Sequence, residues 1–94
     1  MEFKGTKGKW KRVLLETTDF CQRRNEIHYG KDGECVAEYV HNDYDALLIS
    51  KAPKMLEMLK ELRNAILSED YVRMLANSQL AKELIKEATE IKNK

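Results

Sequence analysis

Residues 30–50 read GKDGECVAEYVHNDYDALLIS, and this stretch decides the fold. It opens with Gly30-Lys31-Asp32-Gly33, the clearest turn in the chain. Glycine accepts a positive φ without steric cost, and Asp suits a turn position. Glu34 to Val40 follows as an extended segment. Simple alternation puts Cys35, Ala37 and Tyr39 on one face and Val36, Glu38 and Val40 on the other. At Asn42 the pattern changes. Asn42 is a good N-cap, because its side chain can accept from an unpaired backbone N–H. Asp43 and Asp45 then suit the positive end of a helix dipole, and Leu47, Leu48 and Ile49 are apolar. The chain therefore switches from strand to helix at residue 42.

Working outward, all four glycines lie in the first 33 residues and the only proline is Pro53. The first third is turn-rich and the rest runs in long elements. Residues 1–9 are expected to be a mobile start. Trp10 to Glu16 alternates, with Val13 and Leu15 on one face and Trp10 and Leu14 on the other. Thr17-Thr18-Asp19 reads as a turn, and Phe20 to Tyr29 as a ragged second strand. The sum is a three-stranded antiparallel meander over residues 10–41. After residue 42 the chain is helical, with a break or kink near 52–53, since proline disfavours a helix interior. The series Met55-Leu59-Leu62-Ile66 steps by four, three and four, one face of a helix. A second start is expected at 67–69, where Ser68 precedes two acids. Asn77-Ser78 is a place where the last helix could split. Leu80, Leu84, Ala88 and Ile91 continue the helical spacing. The fold class is α+β: an N-terminal three-stranded antiparallel meander packed on two or three C-terminal helices, in a single domain over residues 1–94.

Ninety-four residues hold one domain with a modest core. The chain has 17 Lys+Arg and 16 Asp+Glu, so net charge gives no reason to expect a polyanion ligand. The distribution is uneven. Residues 1–31 carry eight basic and four acidic side chains, whereas residues 32–94 carry nine basic and twelve acidic. No stretch approaches the ~18 apolar residues of a membrane span, and no segment resembles a signal peptide. No membrane partner and a cytoplasmic location are expected.

The chemistry-bearing residues form no familiar constellation. Cys21, His28, Cys35 and His41 are a legitimate tetrahedral donor set, but they lack the close-spaced pairs of structural zinc sites. No metal and no cofactor are expected, and the cysteines read as small buried residues. No catalytic residue is assigned, because nucleophilic catalysis needs a base and an orienting group in a cleft. Gly5-x-x-Gly8 lacks the following helix that would hold a phosphate. The basic side chains Lys7, Lys9, Lys11, Arg12, Arg23 and Arg24 accompany Trp10, Phe20 and Tyr29 on the expected sheet. Cations interleaved with aromatics can grip single-stranded nucleic acid. Trp10 itself is expected in the core, as the largest apolar side chain available to a small domain.

Two segments carry a resemblance. The opening Phe3-Lys-Gly-Thr-Lys-Gly-Lys-Trp10 and the segment Asn42 to Leu62, NDYDALLISKAPKMLEMLKEL, are similar to a family of small bacteriophage- and prophage-encoded accessory proteins, mostly of unknown function. Ala46, Leu47, Ile49, Ala52, Pro53, Leu56, Leu59 and Leu62 sit where that pattern places them. The resemblance covers residues 3–62, and the tail from Ser68 has no counterpart. It implies a phage accessory protein acting in the cytoplasm of an infected bacterial host, with counter-defence of the anti-CRISPR kind as one occupation. The expected function is therefore a non-enzymatic interaction protein that binds a host protein, the alternative being a nucleic-acid or nucleotide binder using the basic N-terminal sheet. Residues 47–67 hold twelve apolar side chains in twenty-one, more than one sheet face can cover. A homo-oligomer, with a dimer favoured, is expected through Leu48, Met55, Met58, Leu59, Leu62, Leu84 and Ile91.

Overall fold

In a computed structural model of the chain, residues 2–16, 23–30 and 34–91 are described. Three strands, β1 (Trp10–Glu16), β2 (Arg23–Tyr29) and β3 (Glu34–Val40), precede three helices, α1 (Asp43–Ser50), α2 (Ala52–Leu67) and α3 (Tyr71–Thr89). The fold is α+β, with one antiparallel sheet in the order β1-β2-β3. β1 and β2 pair without interruption from Trp10↔Tyr29 to Glu16↔Arg23. The expected turns at Thr17-Thr18-Asp19 and at Lys31 to Gly33, with Phe20 and Cys21, lie outside the described residues. Gly30 enters the second turn at φ +68°, a conformation that suits glycine.

β3 departs from simple alternation. Its partners run Asn25↔Val40, Ile27↔Ala37 and His28↔Cys35, with a register shift on each side of Ile27. Each shift adds one residue to β3, which is the definition of a bulge. Residues directly opposite in an antiparallel pair share a face. Ala37 and Val40 therefore share the face of Ile27 and Asn25, while Cys35 shares that of His28. The expected grouping of Cys35, Ala37 and Tyr39 on one face is thereby overturned. Tyr39 sits at φ 57°, left-handed backbone that a bulky residue rarely adopts.

The helices lie on the face that carries Trp10, Arg12, Asn25 and Ile27. Ile27 and Asn25 are fully buried there. α1 makes this junction, because it packs on all three strands and also on α2 and α3. Its start is built as the sequence predicts: Asn42 Oδ1 accepts from the Tyr44 and Asp45 amides at 2.9 and 3.0 Å. The Asn25 amide donates to Val40 O at 3.0 Å and to Asp43 Oδ1 at 2.9 Å, tying β2, β3 and α1 at one buried point.

α1 ends at Ser50, and Pro53 lies in the first turn of α2, where its missing N–H costs nothing. At the far end of α2 the Ser-Glu-Asp cluster divides its work. Ser68 closes α2, donating its hydroxyl to Asn64 O and Ala65 O. Glu69 turns left-handed at φ 54°. Its amide donates to Ile66 O and that of Asp70 to Ala65 O, a Schellman closure with glutamate in the position usually held by glycine. Asp70, not Ser68, caps α3 by accepting from the Arg73 amide. α3 then runs unbroken through Asn77 and Ser78. Asn77 is buried, and its side-chain amide donates to Glu61 O of α2 at 3.2 Å, so packing overrides its poor helix propensity.

α2 and α3 form an antiparallel hairpin with alanines at the contact: Ala65 is fully buried and Ala88 nearly so. The molecule measures 56 × 31 × 18 Å with a radius of gyration of 16.1 Å. A compact chain of this length would have about 12 Å. The excess reflects a hairpin joined to the sheet mainly through α1. Among the described residues no helix is long and apolar enough to cross a membrane.

Candidate functional site

Three surfaces have the geometry to do something: the cleft between sheet and hairpin, the outer flank of the hairpin, and the open face of the sheet.

The cleft encloses ≈ 890 Å³, within the size range of small-molecule sites. Trp10 and Tyr29 are register partners at the end of β1 and β2 and line it, with Met58, Leu80 and Leu84 of the hairpin opposite. Trp10 is half-buried rather than enclosed, and its indole N–H donates to Thr6 O at 3.1 Å. Lys9, Lys11 and Lys54 stand at the rim, with Glu57 and Glu61 among them. The proposed cations therefore fall into two groups. Lys7, Lys9 and Lys11 border the cleft, although Lys7 pairs with Glu2 at 3.1 Å. Arg12 points to Asp43, 4.0 Å away, and Arg24 stacks over Tyr39 at 4.5 Å while pairing with Glu26 at 3.5 Å. Both arginines are engaged inside the fold. The side chain of Arg23 lies outside the described residues.

Residues 2–9 form an irregular segment alongside α2. Phe3 is half-buried and shares a shallow depression with Pro53 and Leu56.

The outer flank of the hairpin is apolar and open. Leu59 and Ile66 of α2 and Tyr71, Leu75 and Ile85 of α3 are 60% to 76% exposed. At 100° per residue, each set lies about a quarter-turn past the line where its helix meets the other. In an antiparallel pair the same rotation brings both sets to one side. They form one face, turned away from the sheet. Of the expected interface residues, Leu59 is on this face, with Met55 and Leu62 half-buried along its inner border. Met58 and Leu84 face the cleft instead. Leu48 is half-exposed on α1, and Ile91 follows the end of α3. Ile66, Tyr71, Leu75 and Ile85 were not singled out for this role. Their signal is the spacing Tyr71-Leu75-Ser78-Lys82-Ile85, whose two polar members hide the stripe.

On the open face of the sheet, His28 and Glu26 stand two residues apart on β2, and Cys35 lies directly across from His28. The Glu26 carboxylate is the hub. His28 Nε2 lies 2.9 Å from Glu26 Oε1, and the Cys35 thiol donates to the same oxygen at 3.5 Å. The His28 contact, together with the thiol and Arg24, holds the Glu26 carboxyl below its usual range despite partial burial. Burial and the nearby carboxylates of Glu26 and Glu38 push the Cys35 thiol up. Of the four donors weighed from sequence, the fold brings His28 and Cys35 together. It leaves His41 exposed beyond the opposite end of β3, and Cys21 lies outside the described residues.

No family model matches the chain, and no curated protein or solved structure matches it significantly.

Proposed function

We propose that the protein is a non-enzymatic interaction module that pairs with a second copy of itself through the outer flank of the α2–α3 hairpin. The observation that carries this reading is the apolar face of Leu59, Ile66, Tyr71, Leu75 and Ile85. From their exposure these five side chains offer about 600 Å², at the upper limit of the largest patch on typical monomers. A standard interface takes roughly 800 Å² from each partner, so the patch and its polar rim suffice for one. Two hairpins apposed by these faces make a four-helix bundle, which gives a thin 94-residue chain the shared core it lacks.

The resemblance of residues 3–62 to small phage proteins supports placing this dimer in an infected bacterial cell, where it would bind a host protein, with counter-defence as its occupation. The cleft favours a second reading, a nucleic-acid or nucleotide binder. Trp10 and Tyr29 beside Lys9 and Lys11 offer stacking surfaces with cations at hand. The engagement of Arg12 and Arg24 within the fold weighs against it.

Sedimentation equilibrium of the purified chain at micromolar concentration tests the first reading. A dimer mass supports it, and a single-chain mass throughout that range sinks it. Copurifying nucleic acid, released by salt, would favour the second.

A further inference from the structure

We propose that Glu26, His28 and Cys35 form a binding site for a zinc-type divalent cation on the open face of the sheet. The inference is independent of how copies associate.

The donors come from two strands and are brought together by register. Glu26 and His28 share a face because they are two residues apart on β2. Cys35 joins them because it sits opposite His28. Their three ligand atoms lie within 4.8 Å of one another. Around a tetrahedral zinc, with bonds of about 2.0 Å to nitrogen or oxygen and 2.3 Å to sulfur, neighbouring donors stand roughly 3.2–3.7 Å apart. The 2.9 Å between His28 and Glu26 and the 3.5 Å between Cys35 and Glu26 need only a small opening to reach that geometry. Three protein donors leave the fourth tetrahedral position to water, as zinc sites with three protein ligands do.

The backbone gives an independent reason. Regular alternation would set Cys35 on the helix-covered face with Ala37. The register shift between Ile27 and His28 sets Cys35 opposite His28 instead, on the face of Glu26. That bulge interrupts the β2–β3 ladder and leaves one residue of β3 without a partner. Bulges of this kind recur where a side chain must be re-aimed. Here the side chain re-aimed is the Cys35 thiol.

The donor chemistry selects the ion. Thiolate with imidazole suits zinc and its neighbours over magnesium or calcium. Binding releases the Cys35 proton to solvent. The site would then hold two negative charges, from Glu26 and the thiolate. The cation supplies the two positive charges that balance them.

The test is titration of the untagged, chelator-stripped chain with cobalt(II), then with zinc. The expected result is one cobalt per chain, with a thiolate-to-cobalt charge-transfer absorption that zinc abolishes. Cys35→Ser should remove that absorption and weaken zinc binding about a hundred-fold or more, since even partners outside the ligand set are worth 10- to 100-fold. Cys21→Ser should keep both. Circular dichroism of each metal-free variant checks folding, and His28→Gln provides a second variant should Cys35→Ser unfold. Zinc should also raise the melting temperature of the wild-type chain and not that of His28→Gln. The proposal is overturned if the wild-type chain takes up neither ion at micromolar concentration. It is equally overturned if the thiolate absorption survives Cys35→Ser and is lost in Cys21→Ser.

Discussion

Replacing Asn25 by alanine should be among the most damaging single changes in the chain. Asn25 is fully buried, and its amide donates to a strand carbonyl, Val40 O, and to a helix carboxylate, Asp43 Oδ1. A neutral hydrogen bond contributes about 1 kcal/mol net and one to a charged group about 1.5–3. Losing both costs roughly 2.5–4 kcal/mol, before any cavity left by the side chain. A chain of this length has only about 5–14 kcal/mol in total. Urea unfolding followed by Trp10 fluorescence and circular dichroism reads the loss directly. The double-mutant cycle with Asp43→Ala isolates the strand-to-helix bond, and the coupling should be about 1–2 kcal/mol. A loss below about 1 kcal/mol, or additive single effects, would refute the claim that this contact joins the sheet to α1.

Other outcomes follow from the same geometry. Leu75→Ser leaves the monomer's stability unchanged, because Leu75 is 74% exposed. Removing it from both copies costs the dimer about 2–4 kcal/mol, a 30- to 1000-fold weaker Kd by sedimentation. Glu69→Gly, which places glycine at the left-handed closure of α2, should stabilise the chain by about 0.5–1 kcal/mol in the same urea assay. With chelator present, the depressed Glu26 carboxyl contributes stability that is complete above its unfolded value near 4.5 and is lost as pH falls through the lower folded value. Acid titration of Glu26→Gln should therefore show a flatter stability limb below pH 4.5 than the wild-type chain.

What could be read from sequence was what local chemistry decides. The alternation from Trp10 to Glu16, the cap at Asn42 and the restart at Pro53 each depend on neighbours a few residues away. The rest depends on distant partners. Val36 and Tyr39 look like ordinary strand residues, and nothing in GECVAEYV marks two bulges, so the faces of β3 could not be assigned by counting. Asn77 looks like a helix breaker until Glu61 O is seen to accept from it. Ser68 and Asp70 are equally good caps in isolation, and the Schellman turn at Glu69 decides between them. Of the Glu26–His28–Cys35 cluster, sequence marks His28 and Cys35 as donors but not Glu26 or which donors would meet. Its donors meet only through the pairing of β2 with β3.

α1 is eight residues long, yet it is the element packed against every other strand and helix. Sheet and hairpin each have partners of their own, but they reach one another mainly through this short helix. α1 thus sets whether the chain melts in one step or two. With α1 docked, opening either side strips the cover from the other, and unfolding is cooperative. With its anchors cut at Asn25–Asp43 and at Lys51–Glu87, which stand 4.0 Å apart, the hairpin amides would exchange with solvent deuterium on a different clock from those of β2. The slowest-exchanging amides of α1 mark the free energy at which the two halves cease to be one protein.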